Sequence, residues 1–503
     1  MTVLAHGVTA SDSNDELTRD ALAVLQPGFE GTTAPAWLLR QVGEGLTAVG
    51  LFGRNIASSE QLAALTAQLR AEREDVLVAI DEEGGDVTRL EVRDGSSFPG
   101  NLALGAVDDT GLTRDVAREL GRRLAACGVN LNWAPSADVN SNPDNPVIGV
   151  RSFGADTHLA ARHTAAYVEG LQAAGVAACT KHFPGHGDTN VDSHHALPRI
   201  DVDLDTLVAR ELVPFKAAVA AGTKAVMSAH ILVPALDPTR PATLSPQILT
   251  GLLRKELGYE GLIVTDGMEM NAIAGTYGIE RGSVLAIAAG ADAICVGGGL
   301  ADEATVLRLR DALVAAVKEG ALPAERLADA AARVRALASW ARQARAAAAP
   351  GAPQEGSAPG IGLAAARRAV AVTGTAAPVT APPYVATLAP VANIAVGDET
   401  PWGVAAELAA LVPGTASGVY SEGAGAAAVL AAAGSRTVVA VVRDEHRHPW
   451  MAQALDTLIA ARPDTVVVEM GVPRATPRGA LHIATHGASR VCGTAAAEII
   501  AGA

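Results

Sequence analysis

From residue 20 to about residue 340 the chain alternates two patterns of apolar and polar positions. Short runs of consecutive apolar residues read as strands covered on both faces. Longer stretches, in which apolar positions return every three or four residues, read as amphipathic helices. Strands are expected over 21–26, 46–52, 76–80, 129–134, 176–181, 225–229, 262–265 and 293–296, with helices over 62–73, 114–127, 158–173 and 248–256 among those between them. Eight strand–helix units in this length fit a (β/α)8 TIM-type barrel better than an open sheet. Residues 341–361 then lose the helical period and gain Pro350, Pro353, Pro359 and Gly360, which marks a linker. Beyond it, 369–372, 384–388, 438–442 and 466–469 read as strands between Ala-rich helices. The expected architecture is α/β throughout: a barrel over 1–340, a linker over 341–361 and a smaller α/β sandwich domain over 362–503.

Polar residues break the apolar strands at their carboxyl ends. Asp81 follows the third strand, Lys181 and His182 end the fifth, His230 ends the sixth and Asp266 directly follows the seventh. Barrel enzymes carry their chemistry at those ends. The densest stretch is 181–194, with Lys181, His182, His186, Asp188, Asp192 and His194 among bends made by Pro184, Gly185 and Gly187. In an extended loop residues i and i+2 point to one side, so Asp192 can bond the His194 ring. That bond would fix the tautomer and give an acid/base group poised near neutrality. Asp266, in Thr265-Asp266-Gly267, enters a turn before a helix, where an Asp serves either as an N-cap or as a reacting carboxylate. Asp81, in Ile80-Asp81-Glu82-Glu83-Gly84-Gly85, can accept bonds from two hydroxyls, with Arg89 in reach of the same place. Arg151 lies in a second loop rich in Pro and Gly, 145–154.

Composition narrows the class. Against 54 acidic residues there are 39 basic ones, a formal charge of −15, which repels phosphate backbones and disfavours nucleic-acid binding. Cys127, Cys179, Cys295 and Cys492 are far apart in apolar runs, as reduced core thiols of a cytoplasmic protein would be. Neither a signal peptide nor a membrane-spanning run is expected. His182, His186, Asp192 and His194 fit no standard zinc spacing, so a metal-dependent hydrolase is a minor rival and no metal is expected. Gly423-Ala424-Gly425, with Asp444 further on, mimics a dinucleotide fingerprint behind a weak strand, and no cofactor is expected.

Five stretches carry a resemblance: 80–89, 145–154, 181–194, Pro241-Ala242-Thr243-Leu244-Ser245 and Thr265-Asp266-Gly267-Met268-Glu269-Met270. Together they resemble the NagZ-type β-N-acetylglucosaminidases of glycoside hydrolase family 3. The resemblance implies Asp266 as nucleophile and His194 with Asp192 as the acid/base pair. It also implies that Asp81, Arg89, Arg151, Lys181, His182 and His230 hold the N-acetylglucosamine unit. Asp86 departs from the pattern, since many relatives carry a basic residue there, which puts an identical leaving-group subsite in doubt. The implied activity is retaining, exo-acting and cofactor-free, on a small glycoside taken from cell-wall fragments or chito-oligosaccharides, by a monomer or homodimer. A histidine acid is neutral once its proton has gone, so an anionic acceptor is not repelled and phosphorolysis is a variant of the second step. A non-catalytic sugar-binding protein is the other rival, but every member of the catalytic set is present. The 362–503 domain is expected to add stability or arrangement and no catalytic group, with His446 and His448 in an exposed charged turn.

Overall fold

The computed structural model describes residues 10–191, 197–347, 360–391, 396–397 and 399–503. Eight strands follow one another in the first domain: β1 (Leu25–Pro27), β2 (Ala48–Leu51), β3 (Leu77–Ile80), β4 (Leu131–Asn132), β5 (Ala177–Phe183), β6 (Ala225–Ser228), β7 (Leu262–Thr265) and β8 (Ile294–Val296). Every residue in them is buried, which is why they read as mostly apolar runs. Strands β2 to β7 form one parallel sheet in chain order, and β8 pairs in parallel with β1 as a separate two-stranded sheet. A single bridge, Val264 with Ala293, ties β8 to β7, and β1 packs beside β2. The ring of eight expected from the sequence therefore takes the form of a six-stranded parallel half-barrel with a pair alongside.

One end of this sheet is plugged. Ala48, Leu77, Leu131, Ala177, Ala225, Leu262 and Ala293, at or near the starts of their strands, share a core with Val334, Leu337, Ala338 and Ala341. Those four lie on the helix Ala324–Ala347, which extends into the segment expected to be linker. With the amino ends closed, the polar residues at the carboxyl ends face the open end of the sheet. The first strand is shorter than expected, because 21–23 belong to the helix Ala10–Ala23. Its buried Ala21, Leu22 and Ala23 adjoin the strand in sequence, and a run of apolar residues does not separate the two.

The second domain is a three-layer α/β/α sandwich. Its strands are β9 (Ala371–Gly374), β10 (Tyr384–Leu388), β11 (Ala416–Tyr420), β12 (Val438–Val442), β13 (Val466–Glu469) and β14 (Leu481–Ala484). Their order is β11-β10-β12-β13-β14-β9, parallel except for β9 at one edge. Alternate residues fill the two faces: Val439, Val441 and Val468 pack toward the helix Arg490–Ala501, whereas Val438, Ala440 and Val442 pack toward Pro449–Ala461.

The two domains are bolted together. Asp86, in the turn after β3, pairs with Arg443 and accepts the Ala488 N–H at 2.7 Å. Arg368 meets Asp109 at 2.9 Å, and the His446 Nε2 lies 2.8 Å from the Pro143 carbonyl. Gly362 lies so close to the first domain that an added Cβ would fall 1.9 Å from the Ser97 carbonyl oxygen. The Asp86 departure in the sequence thus belongs to the domain junction, and His446 is half-buried there rather than exposed.

Candidate active site

At the carboxyl end of the first sheet lies a cavity of about 600 Å³, within the range of small-molecule sites. Asp81, Arg89, Arg151, Lys181, His182 and Asp266 all line it, so residues from separate loops of the sequence converge as expected. His194 and Asp192 lie outside the described residues.

A continuous polar network floors the cavity. The buried Lys181 ammonium, 2% exposed, pairs with Asp81 and with Glu83, the latter at 2.8 Å. Glu83 also takes both arms of the Arg151 guanidinium, at 2.7 and 3.0 Å. Burial alone would raise the Glu83 carboxyl, but Arg151 and Lys181 outweigh it and hold Glu83 below the usual range. Arg151 in turn points its Nη2 at the His182 Nε2, 3.2 Å away. A guanidinium only donates, so that ring nitrogen accepts and the His182 proton resides on Nδ1. Nδ1 faces the Asp138 Oδ2 at 2.6 Å. Asp138 therefore orients the His182 ring through Nδ1.

Asp138 also shapes the backbone of the loop. It accepts the His186 N–H at 2.7 Å and the Ser136 hydroxyl at 2.9 Å. Its burial pushes the carboxyl up, yet these donors and the His182 ring bring it below the usual range. Gly187 passes so near β4's following loop that an added Cβ would lie 1.7 Å from the Val139 carbonyl oxygen. On the outer side Arg210 bridges Asp188 and Glu211, both at 2.6 Å, and clips the loop to the next helical turn. His186 is 2% exposed, and both ring nitrogens have no partner among the described residues. Burial lowers it to about 4, so near neutral pH it offers the cavity one donor and one acceptor.

Asp266 is placed by the register of β6 and β7. Its N–H donates to the Ser228 carbonyl at 3.1 Å, and its Oδ1 accepts the Gly267 N–H at 2.8 Å. Met268 N–H reaches the Cys295 carbonyl at 3.0 Å, which ties the turn to β8. Three residues on, Glu269 accepts the Gly297 N–H at 2.9 Å and also bonds Gly298, holding the loop after β8 at the cavity edge.

His230 sits apart from the residues that line the cavity. It is fully buried and does not line the cavity; its Nε2 lies 3.0 Å from the Gly267 carbonyl and its Nδ1 2.9 Å from the Thr243 hydroxyl. It lies beneath the Asp266 turn, whose Gly267 carbonyl it meets. Arg89 keeps its place through Glu82, whose Oε2 accepts the Arg89 and Leu90 N–H groups at 2.7 and 2.8 Å and the Thr88 hydroxyl at 3.0 Å. Sequence reasoning missed Glu83 and Asp138 beside the cavity. Glu83 had a visible signal, since it lies two residues after Asp81, but Asp138 had none.

The second domain also reaches the cavity. Val396, Gly397 and Glu399 line it, so its wall is not confined to the first domain.

Residues 34–337 match the family model described as the glycosyl hydrolase family 3 N terminal domain. The chain belongs to glycoside hydrolase family 3. Beta-hexosaminidase A of Pseudoalteromonas piscicida is 38% identical over 312 residues, 57% of this chain and 52% of that protein. The family 3 chain thus matches about half the length of that relative. A beta-hexosaminidase of Neisseria gonorrhoeae (strain ATCC 700825 / FA 1090) is 37% identical over 254 residues, 49% of this chain and 70% of the relative. The solved glycoside hydrolase family 3 beta-N-acetylglucosaminidase from Paenibacillus sp. str. FPU-7 superposes with a TM-score of 0.84 at 35% identity, over 97% of this chain and 96% of that one. Both domains are therefore common to this chain and a solved member of the family. No helix among the described residues is long and apolar enough to cross a membrane.

Proposed function

We propose that this chain is a retaining, exo-acting β-N-acetylglucosaminidase that releases terminal N-acetylglucosamine from cell-wall fragments or chito-oligosaccharides. The observation that carries the reading is Asp266 at the carboxyl end of β7, opening on the same cavity as Asp81, Arg89, Arg151, Lys181 and His182. On a barrel read as closed through β1 and β8, this is the end where reacting groups gather. In the proposed reaction the Asp266 carboxylate attacks the anomeric carbon while His194, oriented by Asp192, protonates the departing oxygen. Water then releases the sugar from the glycosyl-enzyme, with the same histidine taking its proton. Asp81, Arg89, Arg151, Lys181 and His182 hold the sugar while this happens. The family's hexosaminidase relatives support the choice of substrate class.

The test is a chromogenic N-acetyl-β-glucosaminide assay on the wild type and Asp266→Ala. It is paired with product analysis on N-acetylglucosaminyl-anhydromuramic acid and on chitobiose, each with and without phosphate. The reading requires release of free N-acetylglucosamine and a loss of roughly a thousandfold or more in the variant. A sugar 1-phosphate that appears only with phosphate would move the second step to phosphorolysis. An inactive wild type would end the proposal.

A further inference from the structure

The loop after β5 is fastened to the rest of the first domain in two different ways. Its first residues are held from within: Asp138 accepts the His186 N–H, and the Asn145 amide donates to the His186 and Gly187 carbonyls at 2.9 and 3.0 Å. From Asp188 onward the grip comes from outside. Arg210 gives its Nη2 to Asp188 and its Nε to Glu211, both at 2.6 Å. The Asn142 amide meets the Asn190 side-chain oxygen at 2.7 Å. Among the described residues, these are the side-chain links from 188–191 to other elements. Residues one apart do not face each other on a regular α-helix. Arg210 and Glu211 meet where the helix widens into the π turn Leu207–Glu211, an irregularity common at functional sites.

Of the two links the ion pair is the stronger. A hydrogen bond between ions is about twice as strong as one between neutral groups, and the Asn142–Asn190 bond is exposed. A surface ion pair by itself contributes little, because two long side chains must be ordered to make it. Arg210 is ordered already, since its other partner, the Glu211 side chain, is fully buried. Glu211 lies so close to the loop that a Cβ added to Gly185 would fall 2.7 Å from its Oε2. That oxygen has no hydrogen-bond partner among the described residues. Burial pushes the Glu211 carboxyl up to about 7 even with Arg210 beside it. The guanidinium thus joins a buried acid under the root of the loop to an acid on its outer side.

We propose that Arg210 is a positioning residue for the acid step: anchored on Glu211, it holds Asp188, and with it the start of the segment that carries Asp192 and His194. The inference rests on the glycosidase reading above, in which His194 protonates the leaving group, and names a group outside the cavity on which that protonation depends. A general acid works only within hydrogen-bond reach of its target, about 2.6–3.2 Å. A misplacement of about 1 Å can cost on the order of a hundredfold in rate. Arg210 does not line the cavity, so a contact with the sugar does not account for its effect.

The experiment uses two substrates that differ in their need for a proton. Chitobiose must have its departing oxygen protonated, whereas a dinitrophenyl N-acetyl-β-glucosaminide releases a stable phenolate without help. Both are measured on wild type, Asp188→Ala, Arg210→Ala, the double variant and His194→Ala, with melting temperatures as a check on folding. The ratio of kcat/KM on chitobiose to that on the dinitrophenyl glycoside should fall about tenfold or more in each single variant. The double variant should fall no further than Arg210→Ala, because the two residues act as a unit. Asp188→Ala removes only the outer half of the clip, so it keeps the test readable if Arg210→Ala, which strips the buried Glu211 of its partner, fails to fold. A ratio within twofold of wild type in Asp188→Ala, whatever the absolute loss, overturns the positioning role, since a merely structural fault lowers both substrates alike. A wild type that cleaves neither substrate ends the glycosidase reading, and an unchanged ratio in His194→Ala ends the role of His194 as acid; either outcome overturns the inference with it.

Discussion

Asp138 shows how much one buried carboxylate can decide. It faces four donors, two from each side: the His182 and His186 backbone N–H groups on Oδ1, and the His182 ring and Ser136 hydroxyl on Oδ2. An Asn there has only one oxygen to offer. If that oxygen meets the backbone, the amide N–H₂ drives the His182 proton to Nε2, against the Arg151 guanidinium. If it meets the ring, the amide confronts two N–H groups. Asp138→Asn should therefore lower kcat/KM about 100-fold, or ~2.7 kcal/mol of transition-state stabilisation, with a change in its pH profile. Steady-state kinetics between pH 5 and 8 would show this, and activity within threefold of wild type would refute it. Glu82 makes a second prediction. Burial raises its carboxyl from 4.5 to about 7 against the pull of its three donors. The folded state then holds this proton more tightly than the unfolded chain. Its stabilisation is full below about pH 4.5 and is lost as pH rises through about 7. Glu82→Gln keeps the acceptor and cannot titrate, so its stability relative to wild type should increase by up to roughly 3 kcal/mol from pH 5 to 8. A constant difference in unfolding free energy across that range would show that Glu82 does not titrate there.

At the scale of elements, the junction between Asp86 and Arg443 is the part most open to test. Asp86 is buried, and burial raises its carboxyl even with Arg443 and the Ala488 N–H beside it. Arg443→Met removes the side-chain partner that Asp86 has across the junction among the described residues and leaves a desolvated acid. The cost should be about 3–5 kcal/mol, and adding Asp86→Asn should recover part of it rather than add to it. Denaturant titration of the two single variants and the double variant checks this; strictly additive losses would mean that the pair does not act as a unit. The same scale shows what the sequence can and cannot carry. Strands β2 to β8 were legible because both faces are covered, so apolar residues dominate them and polar ones gather at their carboxyl ends. Two strands of the second domain were not. β11, an edge strand with Ser417 and Gly418, alternates between half-buried and exposed positions, and β14 carries His482 in its middle. Asp81, Lys181 and Asp266 could be read because each ends an apolar strand. Asp138 and the Val396–Gly397 wall could not, since their importance comes from partners far away in the chain. His230 also follows a strand, and its ring packs under the neighbouring turn at Gly267.

In the molecule as a whole, the first domain brings the carboxylates and cations of the cavity together, and the second completes the cavity wall and is fastened to the loop bearing Arg89. The pairs Asp81–Lys181–Glu83–Arg151 hold one another in a fixed geometry; under the proposed function, little rearrangement would be left for binding. Everything in that description turns on the carboxylate at the end of β7. The most direct measurement is therefore covalent labelling with a 2-deoxy-2-fluoro or 5-fluoro glycosyl inhibitor, followed by peptide mass spectrometry. A single glycosylated residue, Asp266, is predicted, with activity lost in step with labelling. Label on Glu269 or another acid, or inhibition with no covalent adduct, would contradict the account.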